Sequence, residues 1–134
     1  MPPGTSELHQ ELFCNLNGEI LFVTTPQNVS YVDLIRSIDF VKRLDVKILG
    51  VIDNFAYLRC ESCNKTIKLY TDNTKIDLCD KINLPYLMAF EIDAEISKYA
   101  SQGIPYMSFR QDSETFQSYL NLSDIVMGRE GYAS

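Results

Sequence analysis

Three short apolar runs, Glu19 to Thr24 (EILFVT), Val46 to Ile52 (VKILGVI) and Leu84 to Ala89 (LPYLMA), constrain the fold of this chain more than any other feature. Each has the length of a strand, and the first two are almost continuous in apolar residues, the pattern of strands covered on both faces of a parallel sheet. Between those two, Leu34, Ile38 and Val41, with Phe40 and Leu44, recur at helical spacing; Ser30-x-x-Asp33 resembles a capping box and Asp45 closes the segment. The result is a strand-helix-strand unit, which crosses over right-handed almost without exception. A polar stretch, 53–74, follows with a possible short ribbon over Thr66 to Tyr70, and a short helix is expected over Lys75 to Ile82. Downstream, Asp93 caps a helix that runs through Ala100 and ends at Gly103. Ser113 caps a final helix with Phe116, Tyr119, Leu120 and Val126 on its apolar side. This alternation predicts an α/β domain with a mainly parallel sheet, occupying residues 1–134 as one unit without an internal repeat or low-complexity linker.

Three strands alone would leave long sheet edges unpaired, and the turn-forming opening Met1-Pro-Pro-Gly-Thr-Ser has no strand ahead of it. The chain therefore reads as the second half of something larger. With 46% hydrophobic residues over 134 positions it can bury one ordinary core. A net charge of -6, with its twelve Lys and Arg scattered, argues against nucleic acid, whose binders need a clustered basic face. No apolar run approaches the roughly 18 residues of a membrane span, and the opening residues do not resemble a signal or transit peptide. A reducing, cytoplasmic setting is the expectation, and there four cysteines are thiols or metal ligands sooner than a disulfide framework.

Cys60-Glu-Ser-Cys63 puts two sulfurs within reach of one metal, because a two-residue gap lets the backbone curl around the ion. Spacing alone leaves zinc, an iron-sulfur cluster, a redox dithiol and coincidence all open. The redox reading is weakened because the residues that follow, Asn-Lys-Thr-Ile-Lys-Leu-Tyr, do not open a helix that would lower a thiol pKa. A zinc ribbon wants a second close pair. Cys79 stands alone on an apolar helical face with Ile76 and Ile82, and Cys14 lies beside Leu12 and Phe13, so both read as packing residues. Two thiolates are half a site, and symmetric pairing of two chains would complete a set of four.

A second constellation gathers at strand ends. Pro2-Pro3-Gly4-Thr5-Ser6 is by itself an ordinary surface turn. Thr24-Thr25-Pro26-Gln27 ends one predicted strand and Gly50-Val51-Ile52-Asp53-Asn54 ends the next, which places two polar clusters at the carboxyl ends of parallel strands, where open α/β sheets bind ligands.

PPGTS near the start, VTTPQNVS, the helix up to Leu44, ILGVIDN, then CESC and LPYL followed by Asp93, together resemble the C-terminal half of the Mrp/Nbp family, MinD-like P-loop ATPases that assemble and transfer iron-sulfur clusters. The likeness spans about Pro2 to Met107, and the TS variant of PPGT with Leu78-Cys79 is more similar to the cytosolic Nbp-type branch. It implies a partial P-loop NTPase fold, a Rossmann-like three-layer arrangement lacking the N-terminal Walker A half. It also implies a role as an ATP-dependent scaffold or carrier in cytosolic iron-sulfur protein assembly. Pro3 and Gly4 would belong to the switch II segment that senses the γ-phosphate, and Asn54 would read the adenine. Cys60 and Cys63 would hold a [4Fe-4S] cluster bridging two subunits, in a homodimer or with a related cluster-assembly ATPase, for delivery to recipient apo iron-sulfur proteins. No nucleic-acid or membrane partner is implied. The segment 113–127, acidic and without Lys or Arg, is unlike the basic amphipathic helix of a membrane-positioning relative.

The chain also departs from the family pattern. Asp53-Asn54-Phe55 stands where Glu-Asn-Met is usual, Tyr70 to Thr74 replaces glycines, and Phe90 to Ala94 keeps Asp93 without the flanking prolines. None of the six glycines precedes a Lys-Ser or Lys-Thr pair, so no phosphate loop is present for ATP and Mg²⁺. The resemblance places the Walker B aspartate ahead of Met1, as in a truncated gene product or fragment. A structural zinc-binding or partner-docking module without nucleotide chemistry is the competing expectation. One histidine, no Ser-His-Asp set and no dinucleotide fingerprint leave a metabolic hydrolase or oxidoreductase unsupported.

Overall fold

The computed structural model describes residues 11, 15, 18–60, 62–68 and 79–128. In chain order these form β1 (Ile20–Thr24), α1 (Asn28–Arg43), β2 (Ile48–Arg59), β3 (Thr66–Lys68), β4 (Tyr86–Glu91), α2 (Ala94–Ser101), α3 (Tyr106–Phe109) and α4 (Glu114–Val126). β2 is the axis of the sheet. β1 lies parallel on one side, with Thr24 opposite Asp53, and β4 lies parallel on the other, from Val51 opposite Tyr86 to Tyr57 opposite Glu91. Beyond the end of β1 the same edge of β2 is taken by β3, antiparallel, with Leu58 opposite Ile67.

The expected helical stripe is the one that packs: Leu34, Ile38 and Val41 are buried along α1. Leu34 and Ile38 join Val51 of β2 and Cys79 in one core, with Phe22, Ile82, Leu84 and Tyr86 against it. Burial of each such aliphatic side chain contributes roughly 1.5–3 kcal/mol. Gly50 lets β4 approach: a Cβ there would stand 2.6 Å from the Pro85 carbonyl oxygen and 2.7 Å from Leu87 Cγ. The thiol of Cys79 is pushed up by burial and by Asp80 and Asp53, as suits a packing residue. Of the helix expected over 75–82, only 79–82 falls among the described residues; 79–81 is helical, Ile82 is already in the turn, and the segment closes through Leu84 N to the Cys79 carbonyl, with Asn83 at φ 55.

Four expectations are corrected. Helix α1 begins at Asn28, two residues after Pro26, and Gln27 occupies the cap without a side-chain bond; Ser30 is already inside the first turn, and its hydroxyl pairs with Thr25 at 2.7 Å. β2 does not end near Ile52 but continues to Arg59, because β4 and then β3 supply backbone partners beyond the polar pair Asp53-Asn54, and Phe55, Ala56, Tyr57 and Leu58 carry the strand on. The stretch 53–74 is accordingly not one loop, since it opens as a strand and contains a hairpin. On α4 the inward positions are Thr115, Phe116, Ser118, Leu122 and Ile125, while Leu120 and Val126 are exposed; Tyr119 keeps its expected packing through Phe90, with ring centroids 4.7 Å apart. The caps at Asp93 and Ser113 form as read, accepting from Glu95 N and Phe116 N. Gly103, at φ 69, terminates α2.

Candidate functional site: a cysteine hairpin beside a strand-end cleft

Cys60 and Cys63 sit on the tight turn that joins β2 to β3. The Cys60 amide donates to the Lys65 carbonyl at 3.0 Å, the Asn64 amide donates back to the Cys60 carbonyl at 2.8 Å, and Asn64 takes φ 55, a conformation asparagine tolerates well. Cys60 is half-buried and Cys63 exposed. Among the described residues no group of three His, Cys, Asp or Glu converges to hold a metal ion. The turn therefore offers two sulfur donors, and a closed site needs the rest from elsewhere.

Asn54 is not at the end of its own strand. It lies one residue past the last β1 partner, Asp53, and opens an irregularity in which β2 bulges against β4 before pairing resumes at Tyr57. Phe55 takes φ 58 in that bulge, and the Asn54 Oδ1 accepts the Phe55 amide at 3.1 Å, leaving its NH2 group to donate. Below it, Asp53 is buried and receives the Tyr86 hydroxyl at 3.1 Å; burial first, then the Asp53 charge, drives that phenol far above its ordinary pKa. The polar end of β1 lines an open cavity of about 330 Å³ with Thr24, Thr25, Ser30, Asp33 and Ser37. Pro3 and Gly4 lie outside the described residues.

A larger open cavity, about 480 Å³, adjoins the cysteine turn and is lined by Arg59, Asn64, Glu91, Asp93, Arg110 and Glu114 among others. Asp93 is its hub. One carboxylate oxygen caps α2, while the other accepts the Tyr106 hydroxyl at 2.5 Å and the Thr115 hydroxyl at 3.0 Å. The single Thr115 hydroxyl proton is shared with Glu91, the nearer acceptor at 2.6 Å. Burial works against ionisation of Asp93, but the Tyr106 hydroxyl, the Glu95 amide, the Thr115 hydroxyl and the Arg110 charge outweigh it and hold the carboxyl below its ordinary value. Arg110 pairs with Glu95, and its Nε lies 3.5 Å from Asp112. Sequence reading used Asp93 as a helix cap and family aspartate, and missed Arg59, Glu91, Tyr106, Arg110 and Thr115. The spacing of Glu91 and Asp93 was a usable signal, since residues two apart at a strand end face one side.

A mainly parallel sheet with helices packed on it, and polar groups gathered at the carboxyl ends of its strands, is an open α/β arrangement, and its solved neighbours are MinD-like P-loop NTPases. Solved structures carry the same arrangement. The MinD cell division protein of Aquifex aeolicus superposes with a TM-score of 0.62 at 16% identity, over 87% of this chain and 46% of that one. The cell division ATPase MinD of Pyrococcus furiosus gives 0.60 at 20% identity, over 84% and 43%. The nucleotide-binding protein in complex with ADP from Archaeoglobus fulgidus gives 0.56 at 20% identity, over 75% and 37%.

The family model of the ParA group described as NUBPL iron-transfer P-loop NTPase matches residues 1–127, and the chain belongs to this family. Curated relatives include the cytosolic Fe-S cluster assembly factor NUBP2 homolog of Monosiga brevicollis, 30% identical over 97% of this chain and 47% of that protein. The iron-sulfur cluster carrier protein of Aquifex aeolicus is 27% identical over 94% of this chain and 35% of its own length. The chain thus spans less than half the length of these relatives. No helix among the described residues is long and apolar enough to cross a membrane.

Proposed function

We propose that this chain contributes to iron-sulfur protein assembly as half of a cluster scaffold, holding a [4Fe-4S] cargo through Cys60 and Cys63 together with a second thiolate pair across a dimer interface. The observation that carries the reading is the presentation of both cysteines on one exposed hairpin turn, with no third ligand converging among the described residues. Four-iron clusters are held by four thiolates, and a two-fold axis through the cluster would let a second copy, or a related cluster-assembly ATPase, supply the missing two. An exposed, shared site suits a cargo that is passed on to apo iron-sulfur proteins. The names of the relatives support a cytosolic setting.

Nucleotide chemistry divides differently. Asn54 retains donors for an adenine ring, and the family is one of P-loop NTPases, which supports nucleotide binding by the complete fold. The 134 residues contain no glycine-rich phosphate loop with its lysine, so their donor set does not fit the phosphates and no hydrolytic step is assigned to them.

Anaerobic reconstitution with iron and sulfide tests the proposal. The protein should turn brown with broad visible absorption and elute as a dimer, and Cys60→Ser or Cys63→Ser should abolish both, while Cys79→Ser retains them. A colourless protein that keeps tightly bound zinc would instead establish the structural zinc module.

A further inference from the structure

A turn that presents two sulfurs to one cluster needs its stem held in place. The stem of this one outruns its parallel neighbours: Asp53 is the last residue of β2 to pair with β1, and the ladder to β4 closes at Tyr57 opposite Glu91, with Ile92 N bonded to the Tyr57 carbonyl at 2.8 Å. Beyond that closure the only strand pairing among the described residues is to the short β3, with Arg59 opposite Thr66. Arg59 spans the interval between that closure and Cys60. Its Nη1 lies 2.9 Å from Glu114 Oε1 and its Nη2 pairs with Glu114 Oε2, a two-pronged fork. Its Nε, 3.4 Å from Glu91 Oε2, adds a charge contact to the end of β4 that lacks hydrogen-bond geometry, so the fork on Glu114 is the directional part of the contact. Glu91 is fixed in turn by Thr115. The residue immediately before the first cysteine is therefore clamped to the first turn of α4 and to β4 at once. A fork fixes direction as well as distance, which the point charge of a lysine does not.

We propose that Arg59 is a positioning residue for the cluster site, its clamp on Glu91 and Glu114 setting where Cys60 presents its sulfur. The inference rests on the reading of Cys60 and Cys63 as cluster ligands. Glu114 is 67% exposed, and ion pairs at such positions add little to global stability, so the clamp acts on the turn and not on the fold as a whole.

Anaerobic titration of the reduced chain with Co²⁺ alone, followed by thiolate-to-cobalt charge-transfer absorption, tests this without a cluster or any activity. Arg59→Lys and Glu114→Gln should each weaken Co²⁺ binding roughly tenfold, the usual effect of removing a group that orients a metal ligand. The double variant should be no weaker than either single one, because both changes remove the same contact. Urea midpoints should stay near that of the unsubstituted chain, and Glu114→Gln, altered only at an exposed side chain, carries the test if Arg59→Lys folds poorly. Unchanged Co²⁺ affinity in both variants, or losses that follow the unfolding midpoint, would overturn the positioning role alone, provided Cys60→Ser still lowers the signal. If Cys60→Ser gives the same titration as the unsubstituted chain, the ligand reading fails and the role of Arg59 falls with it.

Discussion

Replacement of Asp93 by alanine removes three bonds from one residue: the cap on α2, the acceptor of the Tyr106 hydroxyl and an acceptor of the Thr115 hydroxyl. An N-cap of this type contributes about 1 kcal/mol. A hydrogen bond to a carboxylate contributes about 1.5–3 kcal/mol. The two hydroxyls are not orphaned by the change, because Tyr106 can turn to Ser113 Oγ at 3.0 Å and Thr115 already reaches Glu91 at 2.6 Å. Only part of the side-chain contribution is lost, and the sum for Asp93→Ala is about 3 kcal/mol. At roughly 3–5 °C per kcal/mol for a chain of this size, the melting temperature should fall by about 10 °C. Asp93→Asn keeps an acceptor for the cap and should cost about half as much. Urea and thermal unfolding followed by circular dichroism measure both.

The same contacts set a pH dependence. The folded-state pKa of Asp93 lies below its unfolded value, so its stabilisation is fully present above the unfolded pKa, near 4, and is lost as pH falls through the folded pKa. The stability gap between the unsubstituted chain and Asp93→Ala should be constant above about pH 5 and close progressively in acid. A loss under about 1 kcal/mol at neutral pH would reduce Asp93 to a helix cap and refute the hub.

Two further outcomes follow from burial and close packing. In the native protein iodoacetamide should modify Cys63 readily and Cys60 more slowly, while Cys79, fully buried with its thiol pKa raised, reacts only in denaturant; peptide mass mapping that finds native Cys79 labelled as fast as Cys63 would contradict its place in the core. Gly50→Ala should destabilise by about 3 kcal/mol in urea unfolding, because the new methyl meets the Pro85 carbonyl, which cannot retreat without breaking its 2.9 Å bond from Val51 N; a neutral result would show that β4 can shift away.

By itself the sequence determined what depends on local chemistry and periodicity. The stripe Leu34, Ile38 and Val41, the caps at Asp93 and Ser113, the strand cores and the burial of Cys79 all appear where apolar spacing and capping residues put them. Cys60 and Cys63 were equally legible as a pair, because a two-residue gap keeps them on one turn. Tertiary structure alone decided what depends on partners distant along the chain. The polar pair Asp53-Asn54 reads as a strand end, yet residues 54–59 extend β2 because β3 and β4 satisfy their backbone, so the cysteine turn stands at the tip of a strand and not within a long loop. Arg59 meets Glu114 across 55 positions, and Asp93 meets Thr115 across 22; no periodicity encodes such contacts. The cysteine pair was therefore written into the sequence, but what packs against the strand that carries it was settled only when α4 met the end of the sheet.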